Sequence, residues 1–476
     1  MKLYDLEHIK INKLQKMTAY MINKKDTTIQ NLMDLYSKGL QEKALKEAVG
    51  VAIINPNSAE ILNIIASVTF KLGQRTSSLK FYNRALKIQP NLAEAHNNIG
   101  YVSSGLDDFS SACDSFKRAI ILNPNYEEAF NNYGLALSII GQQDNAVSCF
   151  KMSLYAYPDF FDALINLGIA LTEIGREEEA ILCFQKLLES KYQDDRIHHN
   201  FGIALYKVGK YKDAEKQFIF SKLNKSKYYL LRCQFLRNDQ KLFHKTLDKL
   251  IQNNEVHPML GSLCDRASQR FAIKTTNPFC ENPIENFEKI DLTKKYNFEM
   301  EFVTPVSKIL NNRKLSFKRQ KLLKNGRQTD GNLFLKYRKT LSGIHSILEK
   351  EIEFYRQNPF RSQQNFIKKW PEKFKLLGWL ITMENYGKLA PHIHDEGWLS
   401  GCLYINVPPK ESPTSGNLVV CLDDDDSSFN PDKNTKKIIH VKTGDLCLFP
   451  ASLLHYTIPF RSKEKRIVLA FDVVPS

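Results

Sequence analysis

Two patterns of apolar and polar positions divide this chain. From about residue 27 to 222, apolar residues fall at helical spacing, and the whole pattern recurs every 34 residues. Pro56, Pro90, Pro124 and Pro158 mark the register. Gly39, Gly73, Gly141, Gly175 and Gly209 hold one turn position, with Asp107 standing in once. Ala44, Ala112, Ala146, Ala180 and Ala214 hold a small position, with Ser78 as the exception; Gly100, Gly134, Gly168 and Gly202 hold a second. Phe116, Phe150, Phe184 and Phe218 hold a large one, preceded by Tyr82. From Lys375 onward the period falls to two. FKLLGWLITMENY, GWLSGCLYINVP, GNLVVCLD, KKIIHVKTGDLCLFP, HYTIPF and RIVLAFDVVP read as short strands parted by turn residues.

A 34-residue period with these small and large positions is that of tetratricopeptide repeats. Roughly six repeats are predicted over 27–222, stacking as a right-handed all-α solenoid with a concave face suited to a protein or peptide partner. Small residues let the paired helices approach, and the aromatic is expected to fill the gap against the next repeat. After Ser221 the period fades, so 223–276 read as capping helices and a connector. Residues 277–476 read as a second unit. Its core at 375–476, six to eight short strands, predicts a double-stranded β-helix, the cupin-like jelly roll. The fold class expected is therefore multidomain α + β. Between these parts, KIDLTKKYNFEMEFVTPV looks strand-like. TLSGIHSILEKEIEFYRQN has the apolar spacing of a helix packed outside the sheet, with His345 as a surface or core residue. Residues 1–22 read as a leading helix or a frayed end.

Composition narrows the setting. A chain of 476 residues with 43% hydrophobic and 25% charged residues is a globular protein of two or three domains. Nine cysteines stand singly with no C-x-x-C, which suits reduced thiols. No run of eighteen apolar residues occurs, and MKLYDLEHIKINKLQK lacks the apolar stretch of a secretory signal. A cytoplasmic protein without membrane attachment is expected. The net charge of +15 is concentrated: residues 308–339 hold eleven Lys or Arg against one acid, Asp330. That segment is either a solvated surface or a patch for an anionic partner. It carries no base-reading motif, so nucleic acid is not the expected partner. The acidic run Asp423–Asp426 reads as a solvated loop.

The chemistry gathers in two stretches. In YGKLAPHIHDEGWLSGCLYINVPP, His392 and His394 stand two apart, a spacing that turns both side chains of an extended segment to one side. About fifty residues on, LCLFPASLLHYTIPFRSKEKRIVLAFDVVP supplies His455 and Arg466. Two close ligands and one distant ligand make a facial metal site with open positions. Three ligand sets fit: His392, His394 and His455; or His394, Glu396 and His455; or a set to which Asp395 contributes. His440 lies in a separate strand and is not expected to join them. Ser400, Trp398 and Asn417 are candidates for lining the pocket or for building it.

Together the words H-x-H, GWLSG, Y-I-N-V-P, LFPA, H-x-T-x-P-F and RI-x-x-AFDVVP resemble the iron- and 2-oxoglutarate-dependent oxygenases, and most of all the oxygenase domains that follow tetratricopeptide repeats in bacterial proteins. NPFC-x-NP and NGRQTDGNLF resemble segments of the same family, with Cys280 as a buried joint residue. The resemblance implies Fe(II), 2-oxoglutarate as cosubstrate and dioxygen. It gives His392, His394 and His455 as metal ligands, Arg466 as anchor of the cosubstrate's distal carboxylate, and Tyr404 as a second contact to it. One departure stands out: the usual first motif is His-x-Asp or His-x-Glu, and here His394 holds the acidic position. The function implied is hydroxylation of a protein or peptide recruited by the repeats. A three-His cupin-type dioxygenase without 2-oxoglutarate and a non-catalytic repeat scaffold are the other classes.

Overall fold

The computed structural model describes residues 30–476 except 33, 36, 55, 272–275, 314, 319 and 424–434. Residues 1–22, expected as a leading helix or a frayed end, and most of the acidic run lie outside these residues. Packing divides the chain into two compact units, one up to Ala136 with Met152–Pro158, the other Leu137–Lys151 with Asp159–Ser476. No helix among the described residues is long and apolar enough to cross a membrane.

The first unit is made of helix pairs such as Ala59–Lys71 with Arg75–Ile88, and Ala93–Ser104 with Phe109–Leu122. The small and large positions meet inside one repeat. A Cβ on Gly100 would stand 2.7 Å from the Phe116 ring, and the same pairing recurs in the second unit between Gly168 and Phe184 and between Gly202 and Phe218. The aromatic thus seals its own hairpin, where the sequence suggests a seal against the next repeat. Phe184 does both, its ring centroid lying 6.1 Å from that of Phe201. The turn between paired helices needs a left-handed residue. Gly39, Gly73, Gly141, Gly175 and Gly209 take φ of 75–82°, and Asp107, the substitute, takes φ 60°. Asp tolerates that region better than most residues, which explains the replacement.

In the second unit the helix pairs with this Gly–Phe contact run to Tyr211–Phe220, and three further helices follow: Ser226–Leu236, Gln240–Gln252 and Pro258–Phe271. They bury Leu231, Phe235, Phe243, Leu247 and Leu260 in a core of their own. The β part is a curled antiparallel sheet of ten strands: β1 (Glu288–Asp291), β2 (Phe317–Lys318), β3 (Leu323–Thr329), β4 (Phe374–His392), β5 (Leu399–Asn406), β6 (Leu418–Cys421), β7 (Lys436–Ile439), β8 (Asp445–Pro450), β9 (Leu454–Thr457) and β10 (Arg466–Pro475). The main order is β1-β8-β5-β10-β4-β9-β6-β7, with β3 also on β4 and β2 on β3. β4 spans 19 residues: its first half pairs with β10, and its far end, past an irregularity, pairs with β9.

β10 shows why its sequence is nearly all apolar. Leu469, Phe471 and Val473 face the core shared with Leu341, Ile344 and Leu348 of the helix Arg338–Gln357. Val468 belongs to the core of the opposite face, with Tyr404, Leu418 and Phe449. Both faces are covered, so the strand reads as a continuous apolar run. One segment departs from its expected form. NFEMEFVTPV is helical, as Glu299–Val303 and Thr304–Leu310. The Asn297 side chain accepts the Met300 N–H (3.3 Å), and Phe302, Val306 and Ile309 fall on one buried stripe. Helical spacing outweighs the strand-like composition there.

The basic segment is partly absorbed by packing within this unit. Lys321 pairs with the buried Glu177 of a repeat helix at 2.9 Å. Asp330-Gly331 meets the repeat turn at Gly141. A Cβ on Gly141 would stand 2.4 Å from the Gly331 nitrogen and 2.5 Å from the Asp330 Cβ. Both glycines have positive φ, 82° and 69°. The NGRQTDG word is therefore a seat for a repeat turn. Gly209 provides the comparison: its φ is 80°, but nothing lies within 4 Å of its would-be Cβ. Gly209→Ala should cost only the left-handed penalty, about 1–2 kcal/mol. Gly141→Ala should add an overpacking cost of about 1–3 kcal/mol. Thermal unfolding of the full chain checks this; equal losses for the two would show that the Gly141 seat carries no packing constraint.

Candidate metal centre

His392 is the last residue of β4, and His394 lies in the loop beyond it, so only one of the two is a strand residue. The extended alternation nevertheless carries through both. β4 and β9 pair so that His392 stands directly opposite His455. Directly opposed residues of antiparallel strands share a face. The ring centroids lie 4.3 Å (His392–His455), 4.9 Å (His394–His455) and 5.1 Å (His392–His394) apart. One nitrogen from each ring falls in a group no more than 4.8 Å across, a set that could hold a metal ion.

The outward nitrogens decide which atoms face inward. His392 Nδ1 lies 3.0 Å from the Ala390 carbonyl, and His455 Nδ1 lies 3.1 Å from the Leu453 carbonyl. His394 Nδ1 lies 2.5 Å from the Asp472 carboxylate and 3.1 Å from Ser400 Oγ. A carbonyl or carboxylate accepts, so each Nδ1 carries the proton, and each Nε2 presents a lone pair. His392 Nε2 and His394 Nε2 are 3.2 Å apart. Two lone pairs at that distance repel unless a proton or a cation lies between them. Burial pushes His392 down to about 3, with the neighbouring His394 as a lesser cause. Burial also holds His455 well below the ordinary histidine range. Pre-oriented imidazoles with their outer nitrogens secured, two of them held neutral by burial, are a donor set that suits a divalent transition metal.

Asp472 has no role in the reading of the sequence. It sits inside the apolar run of β10, opposite Ser400 of β5, and Ser400 Oγ donates to it at 2.7 Å. A Cβ on Gly397 would stand 3.0 Å from the Asp472 carboxyl carbon, so the first glycine of GWLSG makes room for this carboxylate. The available signal is period two: Arg466, Val468, Ala470, Asp472 and Val474 all line one cavity.

That cavity, about 820 Å³, also takes in the three histidines and Tyr404. Arg466 is 1% exposed, and no carboxylate pairs with it among the described residues. One of its terminal nitrogens donates to the Gly416 carbonyl, and its Nε has no partner. The Tyr404 ring centroid lies 5.0 Å from the guanidinium carbon. Burial pushes the Arg466 guanidinium down and the Tyr404 phenol well up from their ordinary values. A buried cation without a counter-charge is a costly arrangement that an incoming carboxylate relieves.

The remaining candidates fall elsewhere. Asp395 and Glu396 line the cavity but lie beside cations of the capping region, not in the histidine group. Trp398 turns to the joint, donating to the Phe366 carbonyl at 2.7 Å and packing on Phe279. Asn417 is buried and bonds the Pro413 carbonyl and His440, which keeps His440 away from the triad. His345 lies 3.3 Å from Glu349 on its own helix. Cys280 is a buried joint residue whose thiol burial pushes well up. From the helical side, Lys207, Arg232 and Arg266 reach the cavity lining.

Comparison with known proteins agrees with this division. Residues 378–472 match a family described as "Putative 2OG-Fe(II) oxygenase". Residues 59–92, 93–126 and 161–194 match the tetratricopeptide repeat. No curated protein matches the chain. Among solved structures, PilF of Pseudomonas aeruginosa is similar at 17% identity over 41% of this chain and 90% of its own, with a TM-score of 0.37. A tetratricopeptide repeat protein from Parabacteroides merdae is similar at 16% identity over 48% and 92%, TM-score 0.37. The MamA protein is similar at 26% identity over 35% and 96%, TM-score 0.30. The chain thus carries tetratricopeptide repeats within 59–194 and, at 378–472, a domain that matches the family described as "Putative 2OG-Fe(II) oxygenase".

Proposed function

We propose that this protein is an Fe(II)- and 2-oxoglutarate-dependent dioxygenase that hydroxylates a protein or peptide substrate recruited by its repeats. The observation that carries the reading is one cavity holding both three convergent imidazoles and a buried, uncompensated arginine. His392, His394 and His455 would hold the iron. Arg466, whose planar fork suits a carboxylate, would hold the distal end of 2-oxoglutarate, with Tyr404 beside it. When bound, iron, 2-oxoglutarate and dioxygen supply an oxidative decarboxylation to succinate and carbon dioxide coupled to oxidation of a C–H bond.

The chain's own contribution is placement. Asp472 and the two carbonyls keep protons on the outer nitrogens and so keep donor lone pairs on the inner ones. Phe449, whose ring centroid lies 4.8 Å from that of His455, and Leu418 and Val468 keep the inner end dry. The cavity volume exceeds what a five-carbon diacid fills, leaving room for a substrate chain. Lys207 and Arg266 at its helical wall favour a substrate carrying acidic groups.

A second reading rests on the donor set. The carboxylate nearest the triad, Asp472, bonds an outer nitrogen and leaves three imidazoles inside, the set of a three-His dioxygenase that works without 2-oxoglutarate. Succinate separates the two. Fe(II)-loaded protein given 2-oxoglutarate and oxygen should release succinate under the first reading and none under the second.

His455→Ala should lose iron, because two imidazoles hold a labile ferrous ion poorly. Metal analysis after anaerobic loading checks this, and retained iron would move the site elsewhere. Arg466→Ala should leave iron in place and weaken 2-oxoglutarate by about 3–5 kcal/mol, at least a hundredfold. Anaerobic titration of the iron-loaded variant with 2-oxoglutarate measures it. An unchanged affinity would remove Arg466 from the cosubstrate site and favour the three-His reading.

A further inference from the structure

The segment that carries two of the metal donors has two sides, and the second side belongs to the helices. His392 and His394 turn their rings toward His455, while Ile393, between them, packs against the core of the three helices that follow the repeats. Asp395 turns the same way. Its carboxylate accepts the Tyr229 hydroxyl at 2.9 Å and lies 3.6 Å from the Arg232 guanidinium. Tyr229 and Arg232 stand one helical turn apart on Ser226–Leu236, so one helix face presents both.

The clamp is rooted in the last repeat. The Tyr229 ring stacks on Phe218 at 5.6 Å and meets Tyr206 edge-on at 6.1 Å and His199 edge-on at 5.7 Å. Arg232 lies over the Tyr206 ring at 5.2 Å. His199, Tyr206 and Phe218 come from the final pair of repeat helices, Asp195–Lys207 and Tyr211–Phe220. Burial and the neighbouring Asp395 push the Tyr229 phenol well up, so it stays a donor. The next residue, Glu396, lies 4.0 Å from Lys225, an exposed pair of a kind that contributes little.

Resting on the reading of the histidines as a metal site, we propose that Tyr229 and Arg232 are positioning residues of that site. By holding Asp395, they hold the loop that aims His394, and the end of the repeat array thereby sets metal affinity. On the other side of the same loop, Asp472 and Ser400 fix the His394 ring itself. The ring is gripped from the sheet, and its backbone from the helices.

The test is anaerobic titration of the full chain with Co(II), read by the visible absorption of the bound ion. The wild-type chain should bind. Tyr229→Phe removes one hydroxyl and keeps the stacked ring, so the fold survives; it should weaken Co(II) about tenfold, in the range of lost outer-sphere partners. Asp395→Ala should weaken it at least as much. Asp395→Asn, which still accepts from Tyr229, should stay closer to wild type. Tyr229→Phe combined with Asp395→Ala should bind no more weakly than Asp395→Ala alone, because both remove the same bond. Lys225→Gln should change nothing. Thermal unfolding run in parallel should show the Tyr229→Phe chain still folded and melting cooperatively well above the titration temperature, so that the loss of metal affinity is not a loss of fold. Wild-type affinity in Tyr229→Phe and Asp395→Ala, or losses that simply add, overturns the clamp while leaving the metal site standing. A wild-type chain that binds no Co(II) overturns the metal site and the clamp together.

Discussion

The register of β10 is the constraint on which the β domain depends. The strand lies between β4 and β5, with both of its faces covered. One face closes on the long helix, and the other carries Arg466 at one end of the cavity and Asp472 at the other. A slip of one residue would send both charged groups into the helix-packed core and turn Leu469 and Phe471 into the cavity. The cost of misplacing two charges in apolar surroundings is large, so the polar pair specifies the register more sharply than the apolar residues do. The same register places Ser400 against Asp472, and through Asp472 it orients His394.

Much of this was legible in the sequence, for physical reasons that can be named. The 34-residue period is visible because each repeat solves the same packing problem with the same Gly and Phe. His455 and Arg466 are visible because they stand in words of a known family. Asp472 stands in the same words, yet its role needs the pairing of β10 with β5, which no local pattern states. The helical form of Glu299–Val303 was hidden by β-branched and aromatic residues whose spacing matters more than their type. Tyr229 and Asp395 are 166 residues apart in sequence, and nothing near either one announces the other.

The acidic residues after His394 illustrate how spacing alone misleads. Asp395 and Glu396 sit close enough in sequence to be written into a metal site, and His394-x-Glu396 has the spacing of one. Side-chain alternation sends Ile393 and Asp395 away from the histidines, toward the helices. The carboxylate that does reach the histidines is Asp472, which bonds the outer nitrogen of His394. Its negative charge lies on the side of that ring turned away from His392.

The seat of the Gly141 turn on Gly331 has a consequence for how such a chain can change length. Gly141 meets Asp330-Gly331, Glu177 meets Lys321, and Tyr229 meets Asp395, three successive stations of the helical array on one β domain. Duplicating or excising a 34-residue module between the first and the last station would move at least one of them off its partner. Between residues 141 and 229 the repeat number is therefore a fixed dimension, like the span of a bridge cut to its piers, and chimeras that exchange these modules have to keep the count.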